Sequence, residues 1–324
     1  MMRRIGFSIM ACLAAVWARN SSLLVAAPEA GCTQLIAHRG VHQTFGSEDL
    51  ANDSCTAERI RPPTHDFIEN TIPSMRAAFD HGAAVVELDV HLTPDGAFAV
   101  FHDWTLDCRT NGTGVTGETE MARLRVLDVG YGYTADGGKS HPLRGKGIGL
   151  MPTLDEVLTE FPARRFLVNF KSERREEAQA LARMLRANPA RRDAIFGVYG
   201  GGTPTREALR LIPRLRGYDR DSAISCLSRY LAIGWTGIVP GSCRNTLVVV
   251  PANYAWLMWG WPHRFTARMR DAGSAVILLG PYDGGGFTSG LDRSDQLDLV
   301  PDGFDGYVWT NRIEVLGPAM ARMR

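Results

Sequence analysis

Short, wholly apolar runs that stop abruptly at ionisable residues mark the first half of the chain. Leu35-Ile36-Ala37 gives way to His38-Arg39, Val85-Val86 to Glu87-Leu88-Asp89, and the run 97–101 to His102-Asp103. Runs of this length without polar alternation read as strands buried on both faces. Charges at their ends are costly to bury unless paired or bound to a cation.

The same pattern continues along the chain. Strands are predicted at 35–37, 84–92, 97–102, 165–171, 194–198, 246–250, 275–279 and 306–309. Helices are predicted at 71–81 (opened by Asn70, closed by Gly82), 153–161, 176–185, 205–211, 222–232, 262–271 and 294–300. Thr93-Pro94-Asp95-Gly96 is a turn signal that makes the second and third strands a hairpin or a tight crossover. The stretch 110–150 is glycine-rich and irregular. Strands interleaved with helices, no linker-like break and 324 residues point to one (β/α)8 TIM barrel with an extended loop after strand 1. A doubly wound open sheet would carry a glycine-rich phosphate turn after its first strand, and here there is none.

Charge narrows the partners. With 36 basic against 35 acidic residues and no lysine-arginine block, nucleic acid is excluded as the expected partner. The N-terminus, Met1-Met2-Arg3-Arg4 followed by an apolar run at 5–18, reads as a secretory signal. Cleavage is expected after Ala18 or Ala27, leaving 28–324 as the folded domain in the longer case, and the protein is expected to be periplasmic or secreted. A lipid anchor on Cys32 is disfavoured by Glu29, which stands where an aliphatic residue is needed. In an oxidising compartment, Cys226 is expected to pair with Cys243 and Cys55 with Cys108, with Cys32 free.

Glu87 and Asp89 lie two apart on one strand and so share a face. Two such carboxylates repel unless a cation lies between them, and a hard divalent ion suits oxygen ligands. His38 and His102 close neighbouring strands and suit general acid and base work; His42, His65, His81, His91, His141 and His263 read as structural or surface residues. Asn169 and Lys171 repeat the two-apart pattern, so Asn169 can offer a carbonyl to a metal while Lys171 and Arg39 neutralise an anion. Lys171 stands out because the chain has only Lys139 and Lys146 besides it. A cation, two positive side chains and two histidines describe a site for a phosphate ester.

His38-Arg39-Gly40, Glu69-Asn70-Thr71, Glu87-Leu88-Asp89-Val90, Thr93-Pro94-Asp95-Gly96, His102-Asp103-x-x-Leu106-Asp107 and Arg109-Thr110-Asn111-Gly112-Thr113-Gly114 resemble, in combination and order, the glycerophosphodiester phosphodiesterase family. The resemblance implies a (β/α)8 fold and hydrolysis of a glycerophosphodiester to glycerol 3-phosphate and an alcohol. It further implies a divalent cation, Ca²⁺ ahead of Mg²⁺. By the same likeness His38 and His102 match the catalytic histidines, Glu87 and Asp89 metal ligands, and Arg39 and Lys171 phosphate contacts. Glu69 matches a site carboxylate that holds the metal or orients Arg39.

This chain departs from the family pattern in three places. Asn169 stands where the family has glutamate, a long insertion containing Cys55 separates His38 from Glu69 and is expected to cover the mouth, and the strand near Val276 runs into Pro281-Tyr282. Two rival functions follow. A phospholipase D-like enzyme acting on lysophospholipids or sphingomyelin would contact lipid headgroups and use the aromatic run 254–261 as a groove. A non-catalytic phosphodiester-binding protein would have lost turnover at Asn169.

Overall fold

Period-two alternation inside buried strands decides the architecture. The computed structural model describes residues 10, 13–25, 33–46, 50, 54–284 and 289–323. Residues 1–9, Cys12, Glu29, Cys32 and the expected cleavage point at Ala27 lie outside the described residues. Eight parallel strands form a nearly closed barrel in the order β6-β5-β4-β2-β1-β9-β8-β7. They are β1 (Gln34–His38), β2 (Ala83–Leu92), β4 (Arg165–Phe170), β5 (Ile195–Gly200), β6 (Gly217–Tyr218), β7 (Leu247–Pro251), β8 (Ala275–Leu279) and β9 (Tyr307–Thr310). Ile36, Val85, Leu167, Leu247, Ile277 and Trp309 point inward and fill the barrel. Their strand neighbours Leu35, Ala37, Val86, Val168, Leu278 and Val308 point outward into the layer that packs the helices, as a barrel filled by side-chain layers requires.

The sequence reading reached eight strands by two errors that cancel. The segment at 97–102 is a short strand, β3 (Phe98–Val100), antiparallel to β2 and outside the barrel; the turn signal at Thr93–Gly96 made a hairpin. The missing barrel strand is β6, only Gly217–Tyr218, too short to leave a periodic signal. No ladder joins β6 to β7 among the described residues; the Thr246 hydroxyl donates instead to the Gly217 carbonyl.

Local chemistry sets the helix ends. α1 (Ile72–Asp80) is capped by Thr71, whose side chain accepts from the Ser74 N–H, so Asn70 is not the cap as expected. Asn70 has φ 60° and turns its amide to the site instead. The helix after β3, Leu154–Glu160, opens with a Thr153/Glu156 capping box, and Arg220–Ile233 opens with one between Asp219 and Ser222. A last helix, Ile313–Met323, was not expected from the sequence.

The irregular stretch at 110–150 is a folded lobe. Leu106, Leu124, Leu127, Val129, Tyr133 and Met151 form a second apolar cluster that also takes in Ala57 and Ile60 of the insertion. The described part of the insertion therefore packs on this lobe, and Cys55–Cys108 staples it there. Residues 47–49 and 51–53 of it lie outside the described residues. Cys226 and Cys243 are joined as expected. Of the aromatic run, Ala255 and Met258 are buried and Trp261 packs on the core, while Tyr254 and Trp256 are exposed. No helix among the described residues is long and apolar enough to cross a membrane.

A Cys226→Ala/Cys243→Ala variant should lose about 3 kcal/mol of unfolding free energy in urea titration, the loop-entropy value for a ring of this size. An unchanged midpoint would show that the cross-link carries no stability.

Candidate active site

The alternation that fills the barrel with Ile36, Val85, Leu167 and Trp309 continues upward to its open end. Two residues on, the same inward positions are His38, Glu87, Asn169 and Asn311. Two further along β2 and β4 come Asp89 and Lys171. The apolar floor and the polar mouth are thus successive layers of one stack. Ligand sites of such barrels lie at this carboxyl-terminal end.

Both β2 carboxylates are wholly buried. Asp89 Oδ1 accepts from Asn169 Nδ2 at 2.8 Å and lies 3.6 Å from Lys171 Nζ; its Oδ2 accepts from Asn70 Nδ2 at 2.9 Å and lies 3.1 Å from Arg39 Nε. Burial alone would raise its pKa, but Arg39 and then Lys171 hold it well below the usual carboxylate range. Glu87 has weaker partners: the Tyr199 hydroxyl donates to Oε1 at 2.6 Å and the Arg39 backbone N–H to Oε2 at 3.2 Å. Burial, reinforced by the charge of Asp89, pushes it up to about 8.

His38, His102 and Lys171 are the reachable members, with side chains 16%, 21% and 22% exposed. Each histidine has its Nδ1 fixed from behind. Asn311 gives its Nδ2 to Asp292 Oδ2 at 2.9 Å, so its Oδ1 accepts from His38 Nδ1–H at 2.6 Å, leaving a lone pair on Nε2, 3.8 Å from Glu87. His102 Nδ1 bonds Asp103 Oδ1 at 2.7 Å, and Arg109 Nε donates to Asp103 Oδ2 at 2.8 Å. Burial lowers the pKa of both rings, with Arg39 adding to it; for His38 the fall is large.

Glu69 is buried between two guanidiniums. Oε1 accepts from Arg39 Nη1 at 3.1 Å and Oε2 from Arg109 Nη1 at 2.9 Å. Burial alone would raise its pKa, but Arg109 and Arg39 hold it down. Arg39 adopts φ 57°, a strained conformation for a non-glycine residue. Gly40 follows because a Cβ there would meet Ser74 Oγ at 2.2 Å.

All eight residues singled out in the sequence therefore lie at one end of the barrel. One orientation differs from expectation. Asn169 turns its N–H, not its carbonyl, toward the nearest group, because that group is the Asp89 carboxylate. A Cβ on Gly200 would meet Asn169 Oδ1 at 2.2 Å, so only glycine leaves room for the amide. Sequence reasoning gave no role to Asn70, Asp103, Arg109, Asp292, Asn311 or Tyr199. Asn311 carried the same signal as the others, a polar residue ending an apolar strand; Tyr199 carried none. His42 and His91, expected to be structural, are buried beside the site. The His42 ring lies 5.9 Å from that of His38, and His91 Nε2 faces the His102 carbonyl at 3.4 Å.

The molecule is thus a TIM barrel whose mouth gathers two backed histidines, a buried acidic pair and a cationic fringe. Residues 38–197 match the Glycerophosphoryl diester phosphodiesterase family. The stretch that carries most of the site thus belongs to that family. The chain is 37% identical over 103 residues to a glycerophosphodiester phosphodiesterase of Caldanaerobacter subterraneus subsp. tengcongensis, covering 32% of this chain. To Homo sapiens glycerophosphodiester phosphodiesterase 1 it is 28% identical over 188 residues, 57% of this chain. The chain spans 39% and 52% of those relatives' own lengths. An Oleispira antarctica phosphodiesterase, solved in complex with the product sn-glycerol-3-phosphate, shares the fold with TM-score 0.52 and 20% identity, covering 89% of this chain and 96% of that one.

In metal-free protein, Glu87→Gln should become steadily more stable relative to the parent as pH rises from 4.5 toward 8. A carboxyl whose folded pKa lies above its ordinary value contributes stability below that ordinary value and loses it as it ionises in the fold. Parallel urea melts across this range check it; a pH-independent difference would refute the assignment.

Proposed function

We propose that the chain hydrolyses glycerophosphodiesters to glycerol 3-phosphate and an alcohol. The supporting observation is the pair of differently backed histidines. His38, whose Nδ1–H is held by the neutral amide of Asn311, keeps a lone pair on Nε2 and acts as base, taking the proton of the attacking water, or of the glycerol 2-hydroxyl whose cyclic phosphate water then opens, as the new P–O bond forms. His102 leans on the Asp103 carboxylate, which stabilises an imidazolium; it acts as acid, giving its proton to the alcohol oxygen as the old P–O bond breaks. Arg39 and Lys171 face the phosphoryl oxygens and offset their growing charge, with Glu69 fixing the Arg39 guanidinium.

The donors suit a hard divalent cation by charge. Glu69, Glu87, Asp89 and Asp103 outnumber Arg39, Arg109 and Lys171, and the surplus falls on the Glu87–Asp89 pair, where burial and then the charge of Asp89 raise Glu87. Among the described residues no three His, Cys, Asp or Glu side chains converge as a ready shell, so the expected set is Glu87 and Asp89 completed by Asn169 with its amide turned, Ca²⁺ before Mg²⁺. A bound ion would supply Lewis-acid polarisation of the phosphoryl oxygens.

Two disulfides and the N-terminal charge pattern support export to an oxidising compartment. The exposed rings of Tyr254 and Trp256 favour a second reading, in which the diester carries an acyl chain. Comparing glycerophosphocholine with lysophosphatidylcholine separates the two.

His38→Ala should lower kcat on the order of 1,000-fold, within the range for loss of an acid or base, whatever the leaving alcohol. His102→Ala should do so for glycerophosphocholine and far less for a p-nitrophenyl diester, whose leaving group needs no proton. Equal losses on both esters would overturn the assignment. Asn169→Glu, which restores a negative charge, should tighten Ca²⁺ binding measured by calorimetry on metal-stripped protein; unchanged or weaker binding would remove Asn169 from the ligand set.

A further inference from the structure

Arg109 is the second-largest fully buried side chain of the described residues, and no element of the proposed chemistry uses it directly. A buried guanidinium is tolerated only when its N–H groups are met. Here Nε donates to Asp103 Oδ2 at 2.8 Å, Nη1 to Glu69 Oε2 at 2.9 Å and to the Tyr133 hydroxyl at 2.6 Å, and Nη2 to Thr56 Oγ1 at 2.5 Å. The two carboxylates share one design. Each gives one oxygen to Arg109 and the other to a site residue: Asp103 Oδ1 to His102 Nδ1, Glu69 Oε1 to Arg39 Nη1.

We propose that Arg109 is a positioning residue that holds His102 and Arg39 in register through Asp103 and Glu69, and that the insertion after β1 is its outer clamp. The planar guanidinium fixes the angle between the two carboxylates, which a single ammonium cannot do. The clamp is built from outside. Cys108, its chain neighbour, is tied to Cys55 of the insertion; Thr56 takes Nη2; and the Ala57 carbonyl accepts from the Thr134 N–H at 3.0 Å. On the other side the Gly132 N–H donates to the Arg109 carbonyl at 3.2 Å, and a Cβ on Gly132 would meet the Cys108 carbonyl at 1.9 Å. Backbone and side chain of Arg109 are thus fixed by separate segments.

The proposal rests on the glycerophosphodiester reading and separates from it as follows. Parent, Arg109→Met, Arg109→Lys, His102→Ala and the Arg109→Met/His102→Ala double variant are assayed on glycerophosphocholine and on a p-nitrophenyl glycerophosphodiester. Arg109→Met should lose on the order of 100-fold in kcat on the choline ester, the scale of a remote misplacement, and clearly less on the p-nitrophenyl ester, with KM raised on both through Arg39. In the His102→Ala background its effect on kcat should shrink to the part carried through Arg39, the size seen on the p-nitrophenyl ester, since residues acting through one group are not additive. Arg109→Lys should recover part of the loss, and it carries the test if the methionine variant fails to fold. Parent-like kcat and KM in a folded variant, or equal and additive losses on both esters, would overturn the proposal. If the parent hydrolyses neither ester, the activity reading fails on its own. The Nδ1–H resonance of ¹⁵N-labelled His102 then decides here: displaced or lost in the variant if Arg109 holds Asp103 in place, unchanged if it does not.

Discussion

A carboxylate with no solvent contact must be met by donors on every side, and Asp89 is the one around which the mouth of this barrel is assembled. Its partners come from the turn after β1 (Arg39), from the residue before the α1 cap (Asn70) and from β4 and its end (Asn169, Lys171). Meeting that single charge therefore fixes the relative positions of three separate segments. Breaking one partner would leave a buried charge uncompensated, which is the costly direction for a buried ion pair. Glu87, two residues earlier, is less well met, and burial with the charge of Asp89 raises its pKa.

From Asp89 the ion pairs run outward without interruption: Arg39, Glu69, Arg109, Asp103, His102. Signs alternate from Asp89 to Asp103, so each charge between them is stabilised from both sides, and Asp103 orients the His102 ring. His38 has an independent backing through Asn311 and Asp292, on the loop before β9 and the residue after it. The two histidines therefore answer to different parts of the molecule, one to the lobe at 110–150 and one to the last barrel strand.

Much of this could be read in the sequence because strands announce their ends. Apolar runs closing in His38, Glu87–Asp89, His102 and Asn169–Lys171 named these residues; period-two alternation places His38, Glu87–Asp89 and Asn169–Lys171 on one face, while His102 arrives from the end of β3 outside the barrel. Partners that join segments distant along the chain left no such mark. Tyr199 reaches Glu87 across β4 and β2, and Arg109 meets Thr56 and Glu69 from a loop that reads only as glycine-rich. The direction of the Asn169 amide was equally hidden, because it is set by Asp89 and by the room left at Gly200. β6 escaped notice because two residues carry no period, and the packing of the insertion on the 110–150 lobe was hidden because a disulfide shows only which ends meet.

The unladdered joint between β6 and β7 has a consequence for where the molecule yields. In the strand order it lies at the two ends of the sheet path, while β1 and β2, which carry His38, Glu87 and Asp89, lie at the middle, on the far wall of the cylinder. Opening a barrel costs least where the fewest backbone bonds must part. Local opening of this barrel is therefore expected first at the wall opposite His38, Glu87 and Asp89.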